Sequence, residues 1–80
     1  ELKTNNVLEL TIPEHKTIKE NIKIKINIKN EKSISKIKIN YEENSKANII
    51  VKIIGNGFNY LDIETNAKSY SNGKIIIANL

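Results

Sequence analysis

The residues able to do chemistry are few, and their spacing forms no catalytic set. The single histidine, His15, follows Pro13 and Glu14 in a polar connection. A general base needs a partner within hydrogen-bond reach, and a serine or threonine nucleophile needs such a base. Because nothing near His15 in the sequence supplies that partner, we predict an ordinary surface histidine and a protein that is not an enzyme.

Two acidic pairs could in principle bind a cation. Glu42 and Glu43 are adjacent, and neighbouring residues of an extended strand point to opposite faces. Asp62 and Glu64 share a face and could bind Ca²⁺ weakly if loops supplied further oxygens, but solvated acids are the simpler interpretation. The chain has no cysteine, which excludes disulfides and cysteine metal sites. We therefore predict no metal site and no cofactor.

Positive charge is the most distinctive chemical feature. The formal net charge is +4, and all 13 basic residues are lysine. A lysine-rich β-barrel could neutralise phosphates of a nucleic acid or bind another polyanion, with binding that weakens steeply in salt. Arginine, which usually reads bases and phosphates through its planar fork, is absent, and this argues against nucleic acid. The lysines that such a surface would use share one stretch of the chain: Lys23, Lys25, Lys29, Lys36 and Lys38.

The hydrophobic pattern has a period of two. In residues 22–28 isoleucine alternates with lysine or asparagine, and the alternation resumes up to Tyr41. A β-strand places successive side chains on opposite faces, so each stretch predicts a half-buried strand. The run 49–54 is almost continuously β-branched, which predicts a strand covered on both faces, either central or at an interface.

About seven short strands with regularly spaced turns predict an all-β protein, a small antiparallel β-sandwich of immunoglobulin-like or jelly-roll-like type. Residues 1–80 are expected to form one domain. Gly55-Asn56-Gly57 predicts a turn, and Asn72-Gly73 predicts a two-residue type I′ hairpin. No internal repeat stands out. The predicted strands are Val7–Ile12, Ile22–Ile28, Ile34–Tyr41, Ala47–Ile54, Phe58–Glu64, Asn66–Tyr70 and Lys74–Leu80.

Two stretches resemble known families. The order IKIKINIKN, SISKIKINYEENS, an apolar strand, Gly55 and Gly73-Lys74-Ile75 resembles the first part of cohesin modules, with Glu42 in place of the usual aspartate after the tyrosine. GFNYLDIETN followed by YSNGKIIIANL is similar to the end of immunoglobulin-like repeats of bacterial and archaeal surface proteins. Both resemblances imply a non-catalytic β-sandwich outside the cell.

The main functional hypothesis is an extracellular or cell-surface module for protein–protein interaction, adhesion or assembly. Its partner would be a protein or a second copy, bound through strand edges, because open edges pair with other chains. Two alternative functions stay open: the lysine-rich β-barrel that binds nucleic acid or another polyanion, and an inert structural spacer. The residues expected to bind a partner lie on two runs that we predict to be edge strands: Ile50, Lys52, Ile54, Lys74, Ile76 and Ala78.

The ends of the chain also carry an expectation. The last run, KIIIANL, stops at Leu80 without a polar tail, which is consistent with a fragment of a longer surface protein. No run of about 20 apolar residues occurs, so no membrane insertion is expected within these residues.

Overall fold

Six β-strands form the regular structure of the computed structural model, which describes residues 3–29 and 32–79. No described residue is helical. The all-β prediction is therefore confirmed. The strands are β1 (Lys3–Ile12), β2 (Ile22–Ile28), β3 (Lys32–Tyr41), β4 (Ile49–Gly55), β5 (Phe58–Ala67) and β6 (Ile75–Asn79).

Consecutive strands alternate between two sheets. The front sheet has the order β1-β3-β5, the back sheet has the order β2-β4-β6, and every strand pair is parallel. The chain therefore winds as a β-solenoid: coil 1 contains β1 and β2, coil 2 contains β3 and β4, and coil 3 contains β5 and β6. Each coil is one repeating unit that buries its apolar side chains against its neighbours.

The predicted antiparallel arrangement is wrong, as is the count of about seven strands. Alternation of apolar and polar side chains indicates that a strand has one buried face, but it does not indicate whether the neighbouring strand is parallel or antiparallel. Residues 66–67 end β5, and Lys68 to Tyr70 form a turn instead of the predicted sixth strand. Asn72-Gly73 is not a hairpin, because it leads from the front sheet to the back sheet.

The core lies between the sheets and is densest in coil 2. In the front sheet Ile39 pairs with Leu10 and Thr65, and in the back sheet Ile49 pairs with Ile22 and Ile75. Ile39 and Ile49 are fully buried, whereas the equivalent positions of coils 1 and 3 are at least partly exposed. Each fully buried isoleucine contributes roughly 1.5–3 kcal/mol. Stability is therefore concentrated in the middle coil.

The turns at one corner of the coils are stacked copies of each other. His15, Asn44 and Tyr70 occupy the same position in the three turns, with φ of 60°, 58° and 61°. The His15 amide donates to the Glu43 carbonyl at 2.9 Å, and the Asn44 amide donates to the Ser69 carbonyl at 3.1 Å. Backbone hydrogen bonds between successive coils thus continue through the corner.

The predicted turn at Gly55-Asn56-Gly57 is confirmed. Gly55 and Gly57 have φ of 118° and 128°, which glycine adopts readily. A Cβ atom on Gly55 would also collide with the carbonyl oxygen of Ile28 in the preceding coil. The turn therefore needs glycine for both conformation and space.

Candidate interaction surfaces

Five of the six predicted partner-binding residues share the outer face of the back sheet. The inward side chains of β4 are Ile49, Val51 and Ile53, so the outer face carries the intervening residues. The register places Ile50 beside Ile76 and Lys52 beside Ala78. The five residues are Ile50, Lys52, Ile54, Ile76 and Ala78. Lys74 lies immediately before β6, at the corner.

The prediction that both runs are edge strands is correct for one of them only. β6 is an edge strand, whereas β4 pairs with β2 on one side and with β6 on the other. The near-continuous β-branched sequence of β4 reflects this central position, the other interpretation allowed by the pattern. Ile50, Lys52 and Ile54 therefore present only side chains, whereas Ile76 and Ala78 belong to a strand with an open backbone edge.

The orientation of the edge groups follows from the ladder. The Ile49 amide donates to the Lys74 carbonyl at 2.8 Å. Alternate residues of a strand direct their amide and carbonyl groups to opposite sides, so Lys74, Ile76 and Ala78 face β4. The amide and carbonyl groups of Ile75, Ile77 and Asn79 consequently point to the open side. Such a row is a template for another strand.

The interior of coil 3 is uncovered on the same side. Ile77, whose neighbour Val51 is fully buried, is 50% exposed. A cavity of about 270 Å³ opens at coil 3 next to Ile75, the inward residue two positions before Ile77. The residues that line this cavity are Tyr41, Thr65, Ala67, Ser71, Asn72, Gly73 and Ile75. The coil 3 surface thus combines unpaired backbone with exposed core positions.

The coil 1 surface, at the other end of the solenoid, has the same character. Leu8 is an inward position of β1 and is 41% exposed. It lines a cavity of about 330 Å³ together with Ile24 and Ile26 of β2. Neither β1 nor β2 has a partner strand on its outer side among the described residues. Both ends of the stack therefore present strands with apolar inner side chains.

The lysines proposed for polyanion binding do not form one surface. Lys23 and Lys25 lie on the outer face of the back sheet, whereas Lys36 and Lys38 lie on the outer face of the front sheet. On the front sheet Lys38 lies between Glu9 and Glu64 in register, with its Nζ 3.9 Å from Glu64 Oε2. Charge on that face is therefore largely balanced.

A polar ladder covers the same front face. The Asn40 amide nitrogen donates to Glu9 Oε2 at 2.9 Å, and the Asn66 amide nitrogen donates to Asn40 Oδ1 at 3.3 Å. Asp62 is in register with Lys36. The front face thus consists of side chains that bind each other across the coils, and its acids face lysine and amide groups.

His15 lies on an exposed turn and contacts Glu14, with 3.0 Å between Nε2 and Oε1. At the same corner Lys68 donates to Glu42 Oε1 at 2.8 Å. This hydrogen bond, and then the charge of the carboxylate, raises the pKa of Lys68. Within residues 3–29 and 32–79 no three histidine, cysteine or acidic residues are grouped as metal ligands would be.

A polar group inside the core was missed from the sequence. The hydroxyls of Ser33 and Ser35 donate to Asn59 Oδ1 at 2.8 and 3.0 Å. Asn59 lies two residues before Leu61 and four before Ile63, so the alternation of side chains along the strand places all three on the inner face.

The described part of the chain holds no apolar helix of membrane-spanning length.

No protein-family model matches the chain, and comparisons with curated proteins and with solved structures gave no match. The resemblances to cohesin modules and to immunoglobulin-like surface repeats gain no support from these comparisons. The antiparallel sandwich that both implied is replaced by the parallel coils described above.

Proposed function

We propose that the protein is a non-catalytic assembly module in which copies stack end to end, coil 1 of one copy on coil 3 of the next. The observation that carries the proposal is the pair of complementary ends. Among the described residues, coil 3 has two strand edges without a neighbouring strand and with exposed inner positions, and coil 1 has two more at the other end. Head-to-tail contacts of this kind generate open filaments.

The register within the chain defines the proposed contact. Because Ile22 pairs with Ile49 and Ile49 with Ile75, the next position in the series is Ile22 of the added copy. In the same way Ile77 would meet Ile24 of the added copy. Isoleucine would thus stack on isoleucine across the junction, as it does inside the chain, and the open backbone groups would be paired.

Stacking agrees with the interaction and assembly role expected from the sequence, with the partner being a second copy. The expected location outside the cell stays a prediction, since it depends on the resemblances. A spacer without a partner is the competing function, and it predicts a monomer at all concentrations.

Proline at an edge position tests the proposal. Ile77→Pro removes an amide that points away from β4, so the internal ladder of the back sheet is kept. Ile77→Ala removes the same side chain but retains the amide, and is the matched control. Sedimentation velocity over a range of concentrations should show self-association of both the unchanged protein and the alanine variant. The association constant of the proline variant should be about tenfold or more below that of the alanine variant.

Equal association of the two variants would contradict strand addition at β6. Circular dichroism establishes that each variant is folded before association is compared. If Ile77→Pro does not fold, Asn79→Pro against Asn79→Ala repeats the comparison at the end of the same strand. A monomer in the unchanged protein at every concentration would support the spacer instead.

A further inference from the structure

The corner where the turns join the back sheet contains a groove of about 380 Å³. Three lysines line it, one from each coil: Lys19, Lys46 and Lys74. No acidic residue among the described residues lines this groove. The other lining residues are Thr17, Ile18, Ala47, Asn48, Asn72 and Gly73.

The backbone around this cationic groove is held in place. Thr17 bridges to Lys46, and Lys46 bridges to Asn72, so the three coils are linked along the groove. The Asn48 side chain accepts a hydrogen bond from the Lys74 amide at 3.0 Å. That contact orients the Asn48 amide group, so its nitrogen remains available as a donor. The groove therefore combines lysine charges with hydroxyl and amide groups on a fixed frame.

We propose that the cationic groove binds an acidic polysaccharide of the polyuronate class, with the polymer running across the coils. Lysine ammonium groups would pair with the carboxylates, while Thr17, Asn48 and Asn72 would hydrogen-bond to ring hydroxyls. A pyranose ring is comparable in length to the strand spacing of roughly 4.8 Å, so successive sugars would meet successive coils. Single-stranded nucleic acid is less suited, because no aromatic side chain among the described residues lines the groove for base stacking.

The groove is separate from the strand edges that carry the assembly proposal. Its three lysines are exposed, and they lie at the corner instead of on the outer side of β5 or β6. Substitutions in the groove should therefore affect polysaccharide binding without affecting self-association, and each property can be measured separately.

Calorimetric titration with polygalacturonate at low salt tests the proposal. Lys46→Gln combined with Lys74→Gln should weaken binding about tenfold or more, since each loses a charge-assisted contact. Lys36→Gln combined with Lys38→Gln removes the same charge from the front sheet and should change binding less than about twofold. Fully methyl-esterified polygalacturonate, which lacks the charge, should not bind.

Equal weakening in the two double variants would overturn the assignment, because it would show attraction to net charge alone. Absence of binding to polygalacturonate by the unchanged protein would also overturn it. If oligothymidylate binds as tightly and depends on the same two lysines, the groove recognises nucleic acid and the polysaccharide proposal is wrong.

Discussion

The Tyr41 hydroxyl lies 2.8 Å from the point that a Cβ atom on Gly73 would occupy, and its ring carbon Cε1 lies 3.0 Å from that point. The same hydroxyl donates a hydrogen bond to the Ala47 carbonyl at 3.3 Å. Tyr41 of coil 2 thus fills the corner of the core, where Gly73 of coil 3 stacks beside Ala47. Gly73 does not have a positive φ, unlike Gly55 and Gly57. Glycine is therefore needed at position 73 for space and not for backbone conformation.

Gly73→Ala should destabilise the protein by about 2–3 kcal/mol, in the range of overpacked core substitutions. The added methyl group would meet the Ala47 carbonyl oxygen as well as Tyr41, and backbone cannot move aside as a flexible side chain can. Urea denaturation measures the change. Asn72→Ala, at the exposed neighbouring position, is the control and should stay within about 0.5 kcal/mol. Equal stability of Gly73→Ala and the unchanged protein would refute this packing.

Alkaline pH should destabilise the protein through Tyr41. Burial raises the pKa of the Tyr41 hydroxyl above its ordinary value of 10.0. The unfolded chain therefore ionises first, so the stabilisation is complete below about pH 10 and is lost as pH rises towards the folded-state pKa. Tyr41→Phe removes this titration, at a cost of about 1 kcal/mol at neutral pH for the lost hydrogen bond.

The measurement for Tyr41 is the free energy of unfolding between pH 8 and pH 11 for both proteins. Tyr60→Phe is the control, because Tyr60 is 55% exposed. The slope above pH 10 should be shallower in Tyr41→Phe only. Parallel curves for all three proteins would contradict the assignment.

Tyr70→Asn should stabilise the protein by about 1 kcal/mol. Tyr70 is 81% exposed and has a φ of 61°, a conformation that asparagine tolerates better than tyrosine. Asn44 already occupies the equivalent position of coil 2. Tyr70→Ala also removes the ring but keeps the conformational cost, so thermal unfolding should separate the two variants. A lower melting temperature for the asparagine variant than for the alanine variant would contradict the turn geometry.

Self-association should increase when Glu64 loses its charge. Glu9, Lys38 and Glu64 follow one another in register, so the proposed stacking places Glu9 of the added copy beside Glu64. Like charges directly opposite on neighbouring strands are destabilising. Glu64→Gln should therefore tighten association by roughly 0.2–1 kcal/mol, measured by sedimentation at low salt. Glu42→Gln, at the corner, should leave association unchanged, and an equal effect of both variants would indicate net charge alone.

The strands were predictable from the sequence because alternation is a local property. Ile22–Ile28 was predicted with the observed bounds, and the turn at Gly55 was recognised from its glycines. Strand direction was not predictable in this way. Asn72-Gly73 matches a hairpin signal, yet here the chain passes to the other sheet. A Cβ atom at position 73 would meet the Ala47 carbonyl and Tyr41, so glycine is needed there for a reason that only the fold reveals.

The repeat that would have revealed the coils is hidden by insertions and by variation at equivalent positions. Ile12 pairs with Tyr41 and Tyr41 with Ala67, so equivalent positions are 29 residues apart between coils 1 and 2 but 26 residues apart between coils 2 and 3. His15, Asn44 and Tyr70 share a conformation but no side-chain chemistry. That five of the six residues expected to bind a partner share one sheet face follows from their parity, which is local, and their role stays a prediction. The central position of β4 depends on contacts between distant residues.

A disulfide between copies tests the stacking most directly, since the chain has no cysteine of its own. Lys23 pairs with Ile50 and Ile50 with Ile76, so stacking would place Ile76 of one copy beside Lys23 of the next. Within one chain these positions are two strand spacings apart, roughly 9–10 Å, which exceeds the limit of about 7 Å between bridged Cα atoms. Lys23→Cys combined with Ile76→Cys should therefore give a ladder of covalent oligomers under mild oxidation, whereas each single variant should remain mostly uncrosslinked. Monomers from the double variant, or efficient dimers from Ile76→Cys alone, would contradict head-to-tail stacking of the coils.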